Sequence, residues 1–454
     1  MYILFSFNTL LNMINSLVLT PVMIIALIGT GVYLSIITKF LQFRKFKIMI
    51  KATIGSSFKN KPKEIHKNGV NPFQAVSTAL AGTLGTGSIA GVATAITAGG
   101  PGAVFWMWVS AILGMVTKYA EILLSVKFKE KNNKGKWTGG PMYYIKNGMK
   151  NKGLAIFFAI TSLIACMGIG NAVQSNAIAN ALNNSTLKVS TEMTGIILTI
   201  AVSGVIIGGI KRIASANEKL VPFMAMFYIV FSLLVLIINI YRIPSIFVTI
   251  FREALKFRSV IGGGSGYCIM SAIKNGFSKG IFSNEAGLGS APIAHGATYT
   301  QNAVEQGLWG MFEVFFTTIV ICTMSALVIL STGIWEIGEI YGSALCIASF
   351  NESFPGIGET VVTTSTILFS LSTILGWAYY GEVSIKFLFK KSEFAILIYR
   401  IIYIIVVYIS AISSFHVIWN LSEIMNTFMA LPNLIAVISL RKVILKTTND
   451  YFKK

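Results

Sequence analysis

Apolar residues in this chain come in runs of about twenty, separated by polar or basic connections. Eleven such stretches are long enough for a helix to cross a bilayer. They cover residues 15–38, 72–98, 103–127, 153–180, 193–210, 220–241, 262–297, 305–332, 359–386, 394–414 and 417–439. The pattern predicts an all-α, polytopic membrane protein. Stretch 262–297 exceeds one straight crossing, so we expect it to be broken or tilted.

Glycine interrupts two of these stretches near their centres. The first interruption spans residues 81–91 and the second residues 283–290, about two hundred positions later. Two glycine-broken spans, one in each half, indicate a secondary transporter whose substrate binds where the helices unwind. The alternative is close helix packing at small residues. We favour the binding site for Gly85 and Gly87, and both explanations stay open for Gly82, Gly91, Gly99 and Gly100.

The stretches after the first one divide into two sets of five. An odd number of helices makes the second set enter from the opposite side of the membrane, which gives an inverted repeat. We therefore assign residues 1–70 to an N-terminal helix and basic loop, 71–241 to the first repeat, 242–261 to a connection, 262–440 to the second repeat and 441–454 to a tail.

Composition and charge support a membrane location. Hydrophobic residues make up 54% of the chain and charged residues 12%, which excludes a single soluble core. The net charge is +20, but the lysines and arginines lie between apolar stretches and do not cluster on a polar domain, so we expect no nucleic acid partner. Charge predicts the orientation of a plasma-membrane protein: lysine-rich connections at 39–67 and 127–152 are expected inside the cell, and the acidic segment 333–359 outside. The N-terminus is then outside and the C-terminus cytoplasmic. The basic stretch 242–258, which this orientation puts outside, is an exception. Residues 39–57 are typical of a helix on the lipid surface, or else form an ordinary basic loop.

Unwound backbone in a membrane needs a ligand for its free N–H and C=O groups. An amino acid and a cation suit Gly85, Thr86 and Gly87 together with the segment from Asn284 to Gly289. Gln174 lies within another stretch and can hold the substrate, or can form an interhelical hydrogen bond.

Ser372, Thr373 and Trp377 lie close together in the stretch 359–386. Hydroxyl groups beside a carbonyl-rich break suit sodium, a hard cation that takes oxygen ligands, and the tryptophan one turn on can close off a pocket. The cysteines and histidines show no metal-ligand spacing, so we expect no cofactor besides sodium as the coupling ion.

Acidic residues are the remaining candidates for ion coupling. Asp450, the only aspartate, lies in the tail, and Glu121, Glu285 and Glu382 lie within or at the ends of apolar stretches. We interpret Glu121 and Glu382 as structural and leave Glu285 open. The scarcity of acids favours sodium over protons as the driving ion.

Several ordered motifs resemble the alanine/glycine:cation symporter family. They are NPFQA at 71–75, GTG at 85–87, IAGVA at 89–93, GGPGAVFWMW at 99–108, GGPMYY at 139–144, FSNEAGLGS at 282–290, GW at 376–377 and YYGE at 379–382. The resemblance covers roughly residues 70–440. It implies sodium-coupled uptake of alanine or glycine through the five-plus-five inverted repeat of the amino acid-polyamine-organocation superfamily, a leucine-transporter-like fold of 11 transmembrane helices with one extra N-terminal helix.

The resemblance also implies roles for individual residues. The substrate carboxylate is expected at Thr83 to Gly87, with Gln174, Asn284 and Trp377 completing the pocket. Sodium is expected at the carbonyls of Ala81 and Leu84 and the hydroxyls of Ser372 and Thr373. Ser88 departs from the family, which usually has asparagine there, and this puts a second cation site in doubt.

Three rival functions remain. A proton-coupled amino acid carrier is the main alternative. An intramembrane serine protease would use Ser265 and His295, but GGSG at 263–266 is a weak match and we expect no enzyme. An ion channel would need a filter loop, and none stands out. We expect a monomer.

Overall fold

The computed structural model describes residues 20–53, 55, 69–131, 135–255, 265–338, 340–390, 392–413 and 415–453. This part of the chain is nearly all helical. The main helices are Thr20–Ile37, Pro72–Thr83, Ala90–Gly99, Gly102–Lys127, Lys152–Asn183, Thr191–Ile206, Gly209–Ile238, Ser265–Asn284, Ala291–His295, Ala303–Thr332, Gly358–Leu388, Glu393–Ile412 and Phe415–Ser439. Each predicted apolar stretch coincides with one helix or with two half-helices, apart from residues 15–19, 262–264 and 414, which lie outside the described residues.

Shorter elements connect these helices. They are the helices Leu41–Arg44, Phe46–Ala52, Pro141–Gly148, Ile243–Ala254, Gly342–Ser353 and Arg441–Phe452, and an antiparallel pair of strands, Glu130–Lys131 and Trp137–Thr138, with Glu130 opposite Thr138. The segment predicted as a surface helix is therefore two short helices as far as residue 52. Residues 54, 56 and 57 of that prediction lie outside the described part.

Six helices in the described residues are long and apolar enough to cross a membrane, or seven if a pair bent by 60° near Leu440 counts as one span. The outer faces of several helices carry exposed apolar side chains, such as Phe394 and Leu397 on Glu393–Ile412. Such faces suit contact with lipid. The prediction of eleven crossings goes beyond this measure and stays a prediction.

The first broken helix stops at Thr83 and resumes at Ala90. Asn71 caps its start in a capping box with Gln74. A short 3₁₀ turn, Thr86–Ser88, fills the gap. We call Pro72–Thr83 the first half-helix and residues 84–89 the first break.

The second broken helix runs from Ser265 to Asn284 and resumes as Ala291–His295. Residues 285–290, the second break, contain Glu285, Gly287 and Gly289 with φ of 53°, 89° and 83°. Left-handed backbone is costly for residues with a Cβ, so the two glycines allow this turn, whereas Glu285 adopts it under strain. Both predicted breaks are confirmed.

Two long helices enclose the breaks. Gly102–Lys127 packs against Ser265–Asn284 and the helical segment starting at Ala303, and Gly358–Leu388 packs against the first half-helix. Small residues permit the approach: a Cβ added at Gly276 would lie 2.5 Å from the Ala103 carbonyl oxygen. The breaks therefore lie in the protein interior.

Candidate functional site

Two hydroxyl groups of the helix Gly358–Leu388 meet the end of the first half-helix. Thr373 Oγ1 lies 2.9 Å from the Ala81 carbonyl oxygen and Ser372 Oγ lies 3.4 Å from it. Both side chains are buried. The structure therefore brings three of the four predicted sodium ligands together, and Leu84 follows directly after the same half-helix.

Gln174 reaches the first break from the helix Val173–Asn183. Its Oε1 accepts a hydrogen bond of 3.3 Å from the Thr86 backbone N–H, and its Nε2 donates to the Ile169 carbonyl at 3.2 Å. A π-helical turn, Gly168–Ala172, precedes this helix; such turns often occur at functional sites. The amide is thus fixed beside the exposed backbone of the break.

The Thr86 hydroxyl is buried and has no hydrogen-bond partner among the described residues. Thr318 has a second such hydroxyl, and its π-helical segment Phe315–Cys322 packs against the Thr86–Ser88 turn. A buried polar group without a partner is uncommon and points to a ligand or an ordered water. Sequence reasoning predicted Thr86 and missed Thr318, which resembles many other threonines in apolar helices.

Trp377 connects the two breaks. Its indole Nε1 lies 3.4 Å from the Gly82 carbonyl oxygen and 3.3 Å from Glu285 Oε1. The ring is fully buried, and a Cβ added at Gly170 would lie 2.2 Å from Trp377 Cβ. The indole is therefore held tightly between the end of the first half-helix and the start of the second break, and its role in closing a pocket stays a prediction.

Close packing and site geometry coincide at Gly85. A Cβ added there would lie 2.9 Å from Thr373 Oγ1 and 3.1 Å from Gln174 Oε1, whereas one at Gly87 would lie 2.7 Å from the Phe282 ring. Neither glycine has a positive φ, so glycine is required there because a Cβ has too little room, and not because of the backbone conformation. Both glycines are therefore closely packed, Gly85 against two predicted site residues, and their role in binding stays a prediction.

The side chains of two predicted substrate residues, Thr83 and Asn284, contact other groups, and the role of Thr83 in substrate binding stays a prediction. The Thr83 hydroxyl lies 3.3 Å from Glu313 Oε1. Asn284 caps the second break by accepting a hydrogen bond from the Ala286 N–H at 3.0 Å, and its amide nitrogen has no partner among the described residues. Asn284 lines a small cavity with Ser110 and does not contact Gln174 or Thr373 in any hydrogen bond of the described residues. Its role in substrate binding stays a prediction.

The sequence analysis missed a buried ionic group beside the end of the first half-helix. Lys118 Nζ lies 3.2 Å from Glu313 Oε1, and His295 Nε2 lies 3.5 Å from Glu313 Oε2. All three side chains are fully buried. A lysine and a glutamate inside apolar stretches were the available signal, because charged residues are rare within membrane helices.

The other glutamates are also engaged. Glu121 accepts hydrogen bonds from the Gly287 N–H at 3.3 Å and from the Asn433 amide. Glu382 pairs with Lys386 and Arg400 at 2.5 and 2.7 Å, in keeping with a structural counter-ion. Acids are thus less scarce in the interior than the sequence analysis assumed, so scarcity does not decide between sodium and protons.

Ser88 ties the first break to neighbouring helices. Its Oγ lies 3.4 Å from Ser283 Oγ, and its carbonyl accepts from Ser325 Oγ at 2.7 Å. Ser283 Oγ in turn lies 2.9 Å from Cys322 Sγ. These contacts fill the place where the resemblance would put asparagine.

Comparisons with known proteins give a family match over nearly the whole chain. Residues 5–454 match the model of the sodium:alanine symporter family. The chain is 42% identical over 449 residues to an uncharacterized transporter of Haemophilus influenzae, covering 98% of this chain and 96% of the relative. It is 40% identical over 452 residues to the sodium/alanine symporter AgcS of Methanococcus maripaludis, covering 98% and 97%.

The crystal structure of a manganese transporter mutant of Eremococcus coleocola has a similar fold, with a TM-score of 0.52 and 12% identity over 82% of this chain and 78% of that chain. At this identity the likeness concerns the fold alone.

Proposed function

Because the chain belongs to the sodium:alanine symporter family, and is therefore an amino acid symporter of the membrane and not an enzyme, we propose that it imports alanine and glycine with sodium by alternating access. We further propose eleven crossings in a five-plus-five inverted repeat, with the N-terminus outside and the C-terminus in the cytoplasm. Both breaks lie in one chain, which supports a working monomer. The short helices at residues 41–52 then lie at the inner lipid surface.

The convergence of Ser372 and Thr373 on the Ala81 carbonyl carries the proposal of sodium coupling. An ion there takes lone pairs from two hydroxyls and from carbonyls at the end of the first half-helix. It thereby joins that half-helix to the helix Gly358–Leu388. Sodium is cargo in this scheme, and it also fixes the half-helix for the substrate.

The amino acid binds at the first break. A substrate carboxylate would take the Thr86 backbone N–H, which now donates to Gln174, and the unpartnered Thr86 hydroxyl is a further donor. Gln174 and Trp377 confine the space for the side chain, since Trp377 is held by tight packing at Gly170. A methyl group or a hydrogen fits such a space better than a larger side chain, which supports alanine and glycine.

In the closed arrangement, the Trp377 indole links the first half-helix to the second break. Opening toward either side separates the first half-helix from the helix Gly358–Leu388. The indole bond to Gly82 and the hydroxyl bonds to Ala81 then break together. Ligand binding favours the closed form because it adds contacts that exist only there.

Uptake by the purified protein in liposomes tests this function. Labelled alanine is offered under an inward sodium gradient, and in parallel under potassium and proton gradients, with glycine, leucine and glutamate as competitors. The proposal expects uptake that needs sodium and is inhibited by glycine alone. Uptake driven equally by protons without sodium would favour the proton-coupled alternative.

A further inference from the structure

The protein interior holds more acids than bases around the two breaks. Glu121, Glu285 and Glu313 are each at most 3% exposed, and Lys118 is the one lysine that the described structure places among them. With all three carboxyl groups ionised, one lysine does not balance them, so this cluster of side chains carries a net negative charge. An uncompensated charge inside a membrane protein is costly, so the group needs a further cation.

Hydrogen bonds show which carboxyl group is left open. Glu121 has donors on both oxygens, and Glu285 accepts from Ser290 Oγ at 2.5 Å and from Trp377 Nε1 at 3.3 Å. Glu313 Oε1 contacts Lys118 and Thr83, but its Oε2 has no hydrogen-bond partner among the described residues. The open atom is therefore Glu313 Oε2.

His295 faces this open oxygen. Its Nδ1 lies 2.6 Å from Gln306 Nε2, an amide donor, so the hydrogen of the neutral ring is on Nε2. Nε2–H therefore points toward Glu313 Oε2 at 3.5 Å and can donate to it as the two groups approach, so an added proton on Glu313 has its place on Oε1, where the Thr83 hydroxyl now lies. Among the described residues, Lys118 also acts on Glu313, and the charge of Glu313 in turn acts on Glu285, Glu121 and Tyr380. The lysines of the packed helix Phe46–Ala52 are exposed.

The first half-helix reaches this pair through its last residue. The Thr83 hydroxyl lies 3.3 Å from Glu313 Oε1 and 3.1 Å from the Ala79 carbonyl of its own helix. Its hydrogen can therefore serve either acceptor. A donor at a carboxylate stabilises the ionised form, and removing that donor favours protonation.

We propose that Glu313 and His295 form a proton-binding site that fills when the first half-helix moves away and empties when sodium and the half-helix are seated, because the sodium ion then supplies the cation that the acidic group needs. The inference rests on the proposed function, because sodium and alanine are the ligands that seat the half-helix. Ligand binding then releases a proton from Glu313. Acidic solution opposes ligand binding for the same reason.

Proton release on ligand binding tests the site. The purified full chain is placed in weakly buffered detergent solution with a pH indicator, between about pH 5 and 8, where histidine-linked sites titrate. Sodium chloride and then alanine are added, with potassium chloride as the salt blank. The wild type is expected to release protons on ligand addition. Glu313→Gln is expected to release none, and Thr83→Val, which keeps every charge, less than the wild type.

A matched control lies on the same helix as Glu313. Glu305→Gln changes an exposed carboxylate near the helix start and should release as many protons as the wild type. Wild-type protein that binds alanine without proton release, or equal release by Glu313→Gln, overturns the site. Wild-type protein that fails to bind alanine in sodium overturns the proposed function and this inference with it. If Glu313→Gln does not fold, undiminished release by Thr83→Val overturns the inference.

Discussion

Replacing Gly85 by alanine tests whether the first break and the proposed sodium site act together. The added Cβ would lie 2.9 Å from Thr373 Oγ1 and 3.1 Å from Gln174 Oε1. The Gly85 backbone is extended, with φ of −103° and ψ of −157°, so alanine adds bulk without backbone strain. Either the Thr373 hydroxyl or the Gln174 amide must therefore move.

Overpacking of this kind costs about 1–3 kcal/mol. If the closed, ligand-bound form bears the whole cost, the affinity for alanine in sodium falls by a factor of about 5 to 150. The measurement is binding of labelled alanine to purified protein across sodium concentrations. Thermal unfolding in detergent checks that the variant has folded.

Gly91→Ala is the matched control. Gly91 lies in the helix Ala90–Gly99, and the nearest atom to its added Cβ is the Thr86 carbonyl oxygen at 4.0 Å. Alanine is a better helix former than glycine, so this variant should bind alanine as the wild type does. Wild-type affinity in Gly85→Ala, or an equal loss in Gly91→Ala, would refute the reasoning.

Three further predictions concern other parts of the site. Thr373→Val removes a hydroxyl ligand worth about 1.5–3 kcal/mol to a charged partner, so the sodium concentration for half-maximal uptake should rise about tenfold or more. The control Ser365→Ala removes a buried hydroxyl of the same helix that donates to the Val361 carbonyl, and it should leave that concentration unchanged. Trp377→Phe loses the indole donor to Gly82 and Glu285, worth about 0.5–1.5 kcal/mol, and should slow uptake at saturating alanine several-fold. The control Trp108→Phe loses an indole hydrogen bond to Thr323 and should leave the uptake rate unchanged. Glu382→Gln leaves Lys386 and Arg400 without their counter-ion and should lower the unfolding temperature in detergent without changing the sodium dependence of uptake; a changed sodium dependence would give Glu382 a coupling role.

The sequence predicted the breaks well because glycine density is a local signal. The first half-helix ends at Thr83 and the second broken helix at Asn284, within the two segments that glycine marks. Spacing also placed Thr373 and Trp377 on one helical face, and both reach the first half-helix. Local patterns and helix geometry were sufficient for these features.

Contacts between distant segments were beyond the sequence. Lys118 and Glu313 lie on different helices, and nothing in either apolar stretch indicates that the two charges meet. Asn284 was placed with the substrate because it directly precedes the second break, and that role stays a prediction, but the sequence did not indicate that its side chain caps the turn at Ala286. The direction of a side chain at a helix break depends on the turn itself, and helical periodicity does not predict it.

Paired fluxes of labelled sodium and labelled alanine test the central claim most directly. Both are measured in the same liposomes for the wild type and for a variant carrying Ser372→Ala and Thr373→Val. The account predicts that the wild type moves the two solutes in a fixed ratio and that the variant loses both fluxes together. Alanine entry without sodium in the wild type, or an unchanged ratio and rate in the variant, would contradict it.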